Sequence, residues 1–167
     1  MLTLPHKTTT EVISLQTFWI YPLYTGLLAI LAIVLVPRQE IRKLLIYSLF
    51  FGAIIDVFII LVVRFPAKYI NYGPFGFMEL PFFPPMSWVI YYIIFFYFLP
   101  SDSAFRLIYI ITAAFYSVIF SNVLMNLGIF QWNLGRVYVP IILYTTWHII
   151  STWGYLRFKR YGGTVEV

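Results

Sequence analysis

Four runs of about 20 residues in this chain each hold at most one acidic, basic or imidazole side chain, and a fifth, shorter run holds none. About 20 such residues, at ~1.5 Å of helical rise each, cross a hydrocarbon core of ~30 Å. The runs lie at about 18–36, 44–63, 85–99, 107–127 and 137–156. They predict an all-α fold, a polytopic transmembrane helix bundle of five spans, with 1–167 forming a single transmembrane domain.

Composition points the same way. Of the residues, 62% are hydrophobic and 10% charged, with a mean hydropathy of +0.88. Such a chain lacks the polar surface to cover a water-soluble core. The net charge of +5 would suggest nucleic acid in a soluble protein. Here Lys and Arg sit at the ends of the apolar runs, where positive charge orients membrane helices, so membrane lipids are expected as partners and nucleic acid is not. Cysteine is absent, which removes disulfides, thiolate metal sites and cysteine nucleophiles together. The first run is longer than a signal-peptide core and is followed by Pro37-Arg38 without a small-x-small cleavage pattern, so it reads as a retained helix.

Prolines punctuate the spans. Pro22 falls in the first turns of span 1, where a missing backbone donor is tolerated, and Pro37 closes it. Residues 65–84 carry Pro66, Pro74, Pro81 and Pro84, Gly73 and Gly76, and many aromatics, with only Lys68 and Glu79 charged. This segment cannot form a regular helix, and unpaired backbone cannot face lipid. It is therefore expected as an interfacial or re-entrant cap that completes the crossing begun by the short third span. With the N-terminus outside, seven basic residues (Arg38, Arg42, Lys43, Arg106, Arg157, Lys159, Arg160) fall in the cytoplasm and four (Lys7, Arg64, Lys68, Arg136) outside. That count predicts a multi-pass cell-membrane protein with a cytoplasmic C-terminus. Trp19, Tyr21, Trp88, Tyr91, Trp132 and Tyr138 would form the outer aromatic belt.

Within the spans only Asp56 and His148 are acidic or imidazole. An ionisable group in hydrocarbon costs several kcal/mol, roughly, unless it has a partner or a task, so these two lead any search for a site. Ser48, Gly52 and Asp56 form an i, i+4 stripe on span 2. Ala113, Ser117 and Ser121 form another on span 4, with Asn122 and Asn126 beside it, and Tyr144, His148, Ser151 or Thr152, and Tyr155 share a face of span 5. Packing of spans 2, 4 and 5 through these faces would gather Asp56, His148, Asn122, Asn126, Tyr144 and Thr152 into a ligand-binding or proton-relay site, with Glu79 as an outer-cap candidate. The competing reading is structural. Asp56 would then be neutral or hydrogen-bonded and would only fix helix register, and His148 would be a satisfied buried donor.

The chain has no nucleophile elbow, Walker loop, H-E-x-x-H or aspartate-rich motif. No catalytic residue, metal ligand set or cofactor is assigned, and the balance leans away from an enzyme. The order of a basic link, Gly52 and Asp56, Gly73-Pro74-Phe75, Ser87-Trp88, Phe98-Leu99-Pro100 and Leu127-Gly128-Ile129-Phe130 resembles small uncharacterised five-helix integral membrane proteins of endospore-forming bacteria over 37–158. The resemblance implies location and topology, and transfers no functional residue. The sequence thus leads to a non-enzymatic accessory or structural membrane subunit, or a binder of a small amphiphilic ligand. The alternative is the substrate-binding subunit of a membrane transporter, and in either case another membrane protein is a candidate partner.

Overall fold

The structure is a computed structural model that describes residues 19–67, 70–71, 76–77, 80–131, 133 and 135–162. The described chain is helical throughout apart from two minimal β ladders. Helix α1 spans Ile20–Leu35. It stops because Val36 turns extended and Pro37 follows, and the Val36 amide still reaches the Ala32 carbonyl at 2.9 Å. Pro37 is also the N-cap of α2, Arg38–Ser48. The charged link is therefore helical, and the second helix begins at residue 38 rather than 44.

That helix continues through a π-helical turn, Leu49–Ile54, into α3, Ile55–Ala67. The sequence explains the widened turn. Leu44, Ser48, Gly52, Asp56 and Ile60 are all buried, a strict four-residue repeat. At ~100° per residue each such step overshoots one turn by about 40°, so a regular helix would carry this stripe away from its neighbour. A turn closed by i→i+5 bonds holds an additional residue and cancels much of the drift.

Helix α4, Phe83–Tyr97, begins with prolines in its first turn, where the missing amide protons have no helical partner anyway. Helix α5, Ser103–Asn126, starts ahead of its apolar run because the Asp102 carboxylate accepts from the amides of Ala104 and Phe105 at 2.9 and 3.0 Å. It ends at Gly128, which takes φ 71° so that the Ile129 amide can bond back to the Leu124 carbonyl at 3.0 Å. Helix α6, Tyr138–Gly162, runs on past the last apolar residues through its basic turn.

In the 65–84 connector α3 persists to Ala67, and α4 starts at Phe83. Between them β1, Ile70–Asn71, pairs antiparallel with β4, Phe130–Gln131, and β2, Gly76–Phe77, pairs with β3, Leu80–Pro81. The connector is thereby tied to the α5–α6 turn. Lys68, Glu79 and Trp132 lie outside the described residues.

The 15-residue helix α4 is the hub. Helix α1, helix α2 and the π turn all pack on it, while α5 packs on α6. The main core joins Tyr92, Phe95 and Phe96 of α4 to Phe51, Trp147 and Tyr155. Two glycines make the approach possible. A Cβ on Gly52 would lie 2.8 Å from the Trp88 carbonyl carbon and oxygen and 2.9 Å from the Val89 nitrogen, so α4 backbone rests directly on the π turn. A Cβ on Gly154 would meet the Phe51 ring, and the Phe51 carbonyl accepts the Trp147 indole N–H at 2.7 Å. The small-residue stripe of the second helix thus receives α4, where the sequence pattern points to the fourth and fifth apolar runs.

Among the described residues, two stretches, Arg38–Val62 and Ser103–Asn126, are long and apolar enough to cross a membrane, with mean hydropathies of 2.6 and 1.9. Only 28% and 39% of their most apolar windows are buried. The outward faces are apolar too: Leu23, Val34, Ile46, Phe58, Phe105 and Ile142 are each at least 60% exposed.

Candidate functional site

A cavity of ≈ 80 Å³ opens between the helices, with α1, α3, α4, α5 and α6 each supplying part of its wall. Asp56 lines it from the first turn of α3, two residues after the π turn. The residue is only 7% exposed, and its Oδ2 is buried with no hydrogen-bond partner among the described residues. Among the described residues, the lining contains no Lys, Arg or His. The only ion pair among them is the exposed Glu40–Lys43 contact on α2, at 2.7 Å. Tyr92 and Tyr144 lie within electrostatic reach of the carboxyl, but no hydrogen bond from either satisfies Oδ2.

Half of the remaining described wall residues are aromatic. Tyr21 and Tyr24 come from α1, Trp88 and Tyr91 from α4, and Tyr116 from α5. Tyr24 stacks on Phe120 with centroids 4.2 Å apart, and its hydroxyl meets that of Tyr116 at 3.1 Å. Trp88 packs against Trp147 at 4.4 Å. Serine hydroxyls at the wall are committed to helix carbonyls: Ser87 donates to Phe83, Ser117 to Ala113 and Ser121 to Val118, each at 2.9 Å. Ser87 also meets Thr25 Oγ1 at 2.6 Å, which pins α4 to α1.

His148 is fully buried but does not line the cavity. Its Nδ1 faces the Tyr144 carbonyl at 2.7 Å, so Nδ1 carries the proton and donates. Nε2 therefore accepts the Tyr91 hydroxyl proton at 3.0 Å. With both nitrogens engaged and the rings of Trp88, Tyr91, Tyr92 and Phe95 around it, the imidazole braces the cavity wall from behind. Its effect on the site is to orient Tyr91.

Tyr144 lines the same cavity as Asp56. Thr152 is buried with Oγ1 unpartnered among the described residues, away from the lining. Asn122 and Asn126 are engaged elsewhere. The Asn122 amide donates to the carbonyls of Val118 and Arg136 at 2.9 and 2.8 Å, and Asn126 Oδ1 accepts from Arg136 Nη1 at 2.8 Å. Both fasten the α5–α6 turn, because Arg136 offers them a charged donor and an open carbonyl that a helix interior lacks. The outer-cap candidate Glu79 lies outside the described residues.

Sequence reasoning missed the aromatic wall. Tyr21, Trp88 and Tyr91 read as interfacial belt residues, yet all three line the cavity, and Tyr21 is 6% exposed. The available signal was the spacing of Trp88 and Tyr91 to Ser87, on the face of the short span that also carries Pro84. No known protein family matches the chain, and no curated protein or solved structure matches it either.

Proposed function

We propose that the chain is a five-span integral membrane protein that holds a small amphiphile in an intramembrane pocket at Asp56. One observation carries this reading: a carboxyl oxygen buried without a partner among the described residues belongs to a side chain lining a cavity shared with tyrosine and tryptophan rings. An unsatisfied buried polar group costs about 1–3 kcal/mol, and a bound head group would supply what the protein leaves out. The cavity is several times the roughly 10–15 Å³ that admits one water.

The membrane part rests on the apolar outward faces and the low buried share of the two long helices, which contrasts with the core helix of a soluble domain. Helices α1 and α4, with 16 and 15 residues, would cross with the help of their flanking segments, as the β2–β3 ladder before α4 allows. Tyr155 stacks on Phe96 and meets Tyr47 edge to face, which draws the basic start of α2 and the basic end of α6 to one end. That arrangement fits a cytoplasmic C-terminus. The resemblance to five-helix proteins of endospore formers belongs with this topology.

An accessory subunit docking through small-residue stripes is less well supported, because Gly52, Ala113, Ser117 and Ser121 are all used inside the bundle. A substrate-binding subunit of a transporter would use the same pocket and differ by co-purifying with a second membrane protein.

Native mass spectrometry from mild detergent tests the reading. The parent chain should carry a retained amphiphile, and Asp56→Leu should fly bare. A bare parent in detergents that preserve its fold overturns the proposal.

A further inference from the structure

Resting on the amphiphile reading, we infer that the pocket selects an ammonium head group. Two independent features converge on that chemistry. The first is charge: among the described residues, Asp56 is the single acidic or basic side chain of the lining, so the carboxylate form would find its counter-charge in a cationic ligand and in nothing else of the described lining. The second is the wall. Tyr21, Tyr24, Trp88, Tyr91, Tyr116 and Tyr144 line the same cavity as the carboxyl, and a space walled by several aromatic rings is the setting in which quaternary ammonium groups are held.

The alternatives fit less well. An anionic or phosphate head would meet a buried carboxyl and no cation from the described lining. A hydroxyl or sugar head needs several acceptors and donors, but the wall serines already donate to helix carbonyls. A purely apolar ligand would leave Oδ2 as it is now, without a partner among the described residues. An ammonium group meets both features together, as a counter-charge for the carboxylate and as a cation for the rings. Tyr116, which lines the cavity, is 44% exposed. The ammonium can belong to a free cationic amphiphile or to a choline-type lipid head, and a described lining without a basic residue for an attached phosphate favours the former.

The test uses the full chain in maltoside detergent, with three probes of equal chain length, the two amphiphiles below their micellar concentrations: decyltrimethylammonium, its uncharged tert-butyl isostere and decylphosphocholine. Thermal shift and competition against a photoreactive decylammonium report binding. Decyltrimethylammonium should bind at least about tenfold more tightly than the isostere. Asp56→Asn, which keeps the size of the side chain, should erase that preference, and Tyr116→Leu should weaken the cation several-fold without changing the isostere. Strong binding of decylphosphocholine as well would support the ammonium inference and assign it to a lipid head. Equal binding of cation and isostere would overturn the ammonium inference and leave the amphiphile pocket standing. No protection of the photoreactive label at the cavity by any probe would overturn both.

Discussion

Asp56→Leu should make the folded chain more stable, by about 1–3 kcal/mol, while abolishing amphiphile retention. The carboxyl is buried and its Oδ2 has no partner among the described residues, so the native fold carries a desolvation penalty that an apolar side chain removes. Leucine also finds room, since the ≈ 80 Å³ cavity lies beside it and no overpacking follows. Increased stability with lost function is the signature of a residue kept for binding. A carboxyl that only fixed helix register would behave in the opposite way, and its removal would loosen the bundle. Unfolding in mixed detergent, followed by tryptophan fluorescence, measures the difference. A clear drop in stability for Asp56→Leu would mean that the aspartate holds the helices together, and the pocket reading would lose its basis.

The second large effect concerns Gly52. Gly52→Val should lower stability by at least about 3 kcal/mol, the upper end of overpacking costs, and should deplete monodisperse protein in detergent. The atoms in the way are the backbone of Trp88 and Val89, at 2.8–2.9 Å from where a Cβ would stand. No rotamer change relieves such a clash, so α4 would have to lift from the π turn and carry Trp88 off the cavity wall. Gly26→Val is the control, because nothing lies within 4 Å of a Cβ there. Equal melting temperatures for the two variants would show that the close approach of α4 to the π turn is not a stabilising contact.

How much of this could be read from residues alone differs from element to element. Apolar runs and prolines locate the helices, but hydropathy is blind to caps and charged ends. Hence α5 begins at Ser103 under its Asp102 cap, and α6 continues to Gly162 through Arg157, Lys159 and Arg160. Helical rise gives the depth of a residue and says nothing about which helix stands opposite. Gly52 therefore meets α4, and Asn122 turns to Arg136 rather than to Asp56. Asp56 was legible as a lead because a lone acid in an apolar run is costly wherever it points. The rings around it were not, since tryptophan and tyrosine near a span end carry the same pattern whether they face an interface or an inner wall.

The π turn has a consequence for mutational tolerance. Losing one residue from an ordinary helix rotates everything beyond it by ~100°, which would swing a buried face out of the bundle. Leu49–Ile54 already contains the surplus residue that an i→i+5 closure accommodates. Deleting half-buried Ala53 should therefore convert the turn to a regular one and leave Ser48 and Asp56 facing inward as before. A deletion at Ile119, in the uninterrupted helix α5, should unfold the protein, and comparative yields of monodisperse material would separate the two. The second helix thus has a built-in site for length change, next to the residue at which binding is proposed.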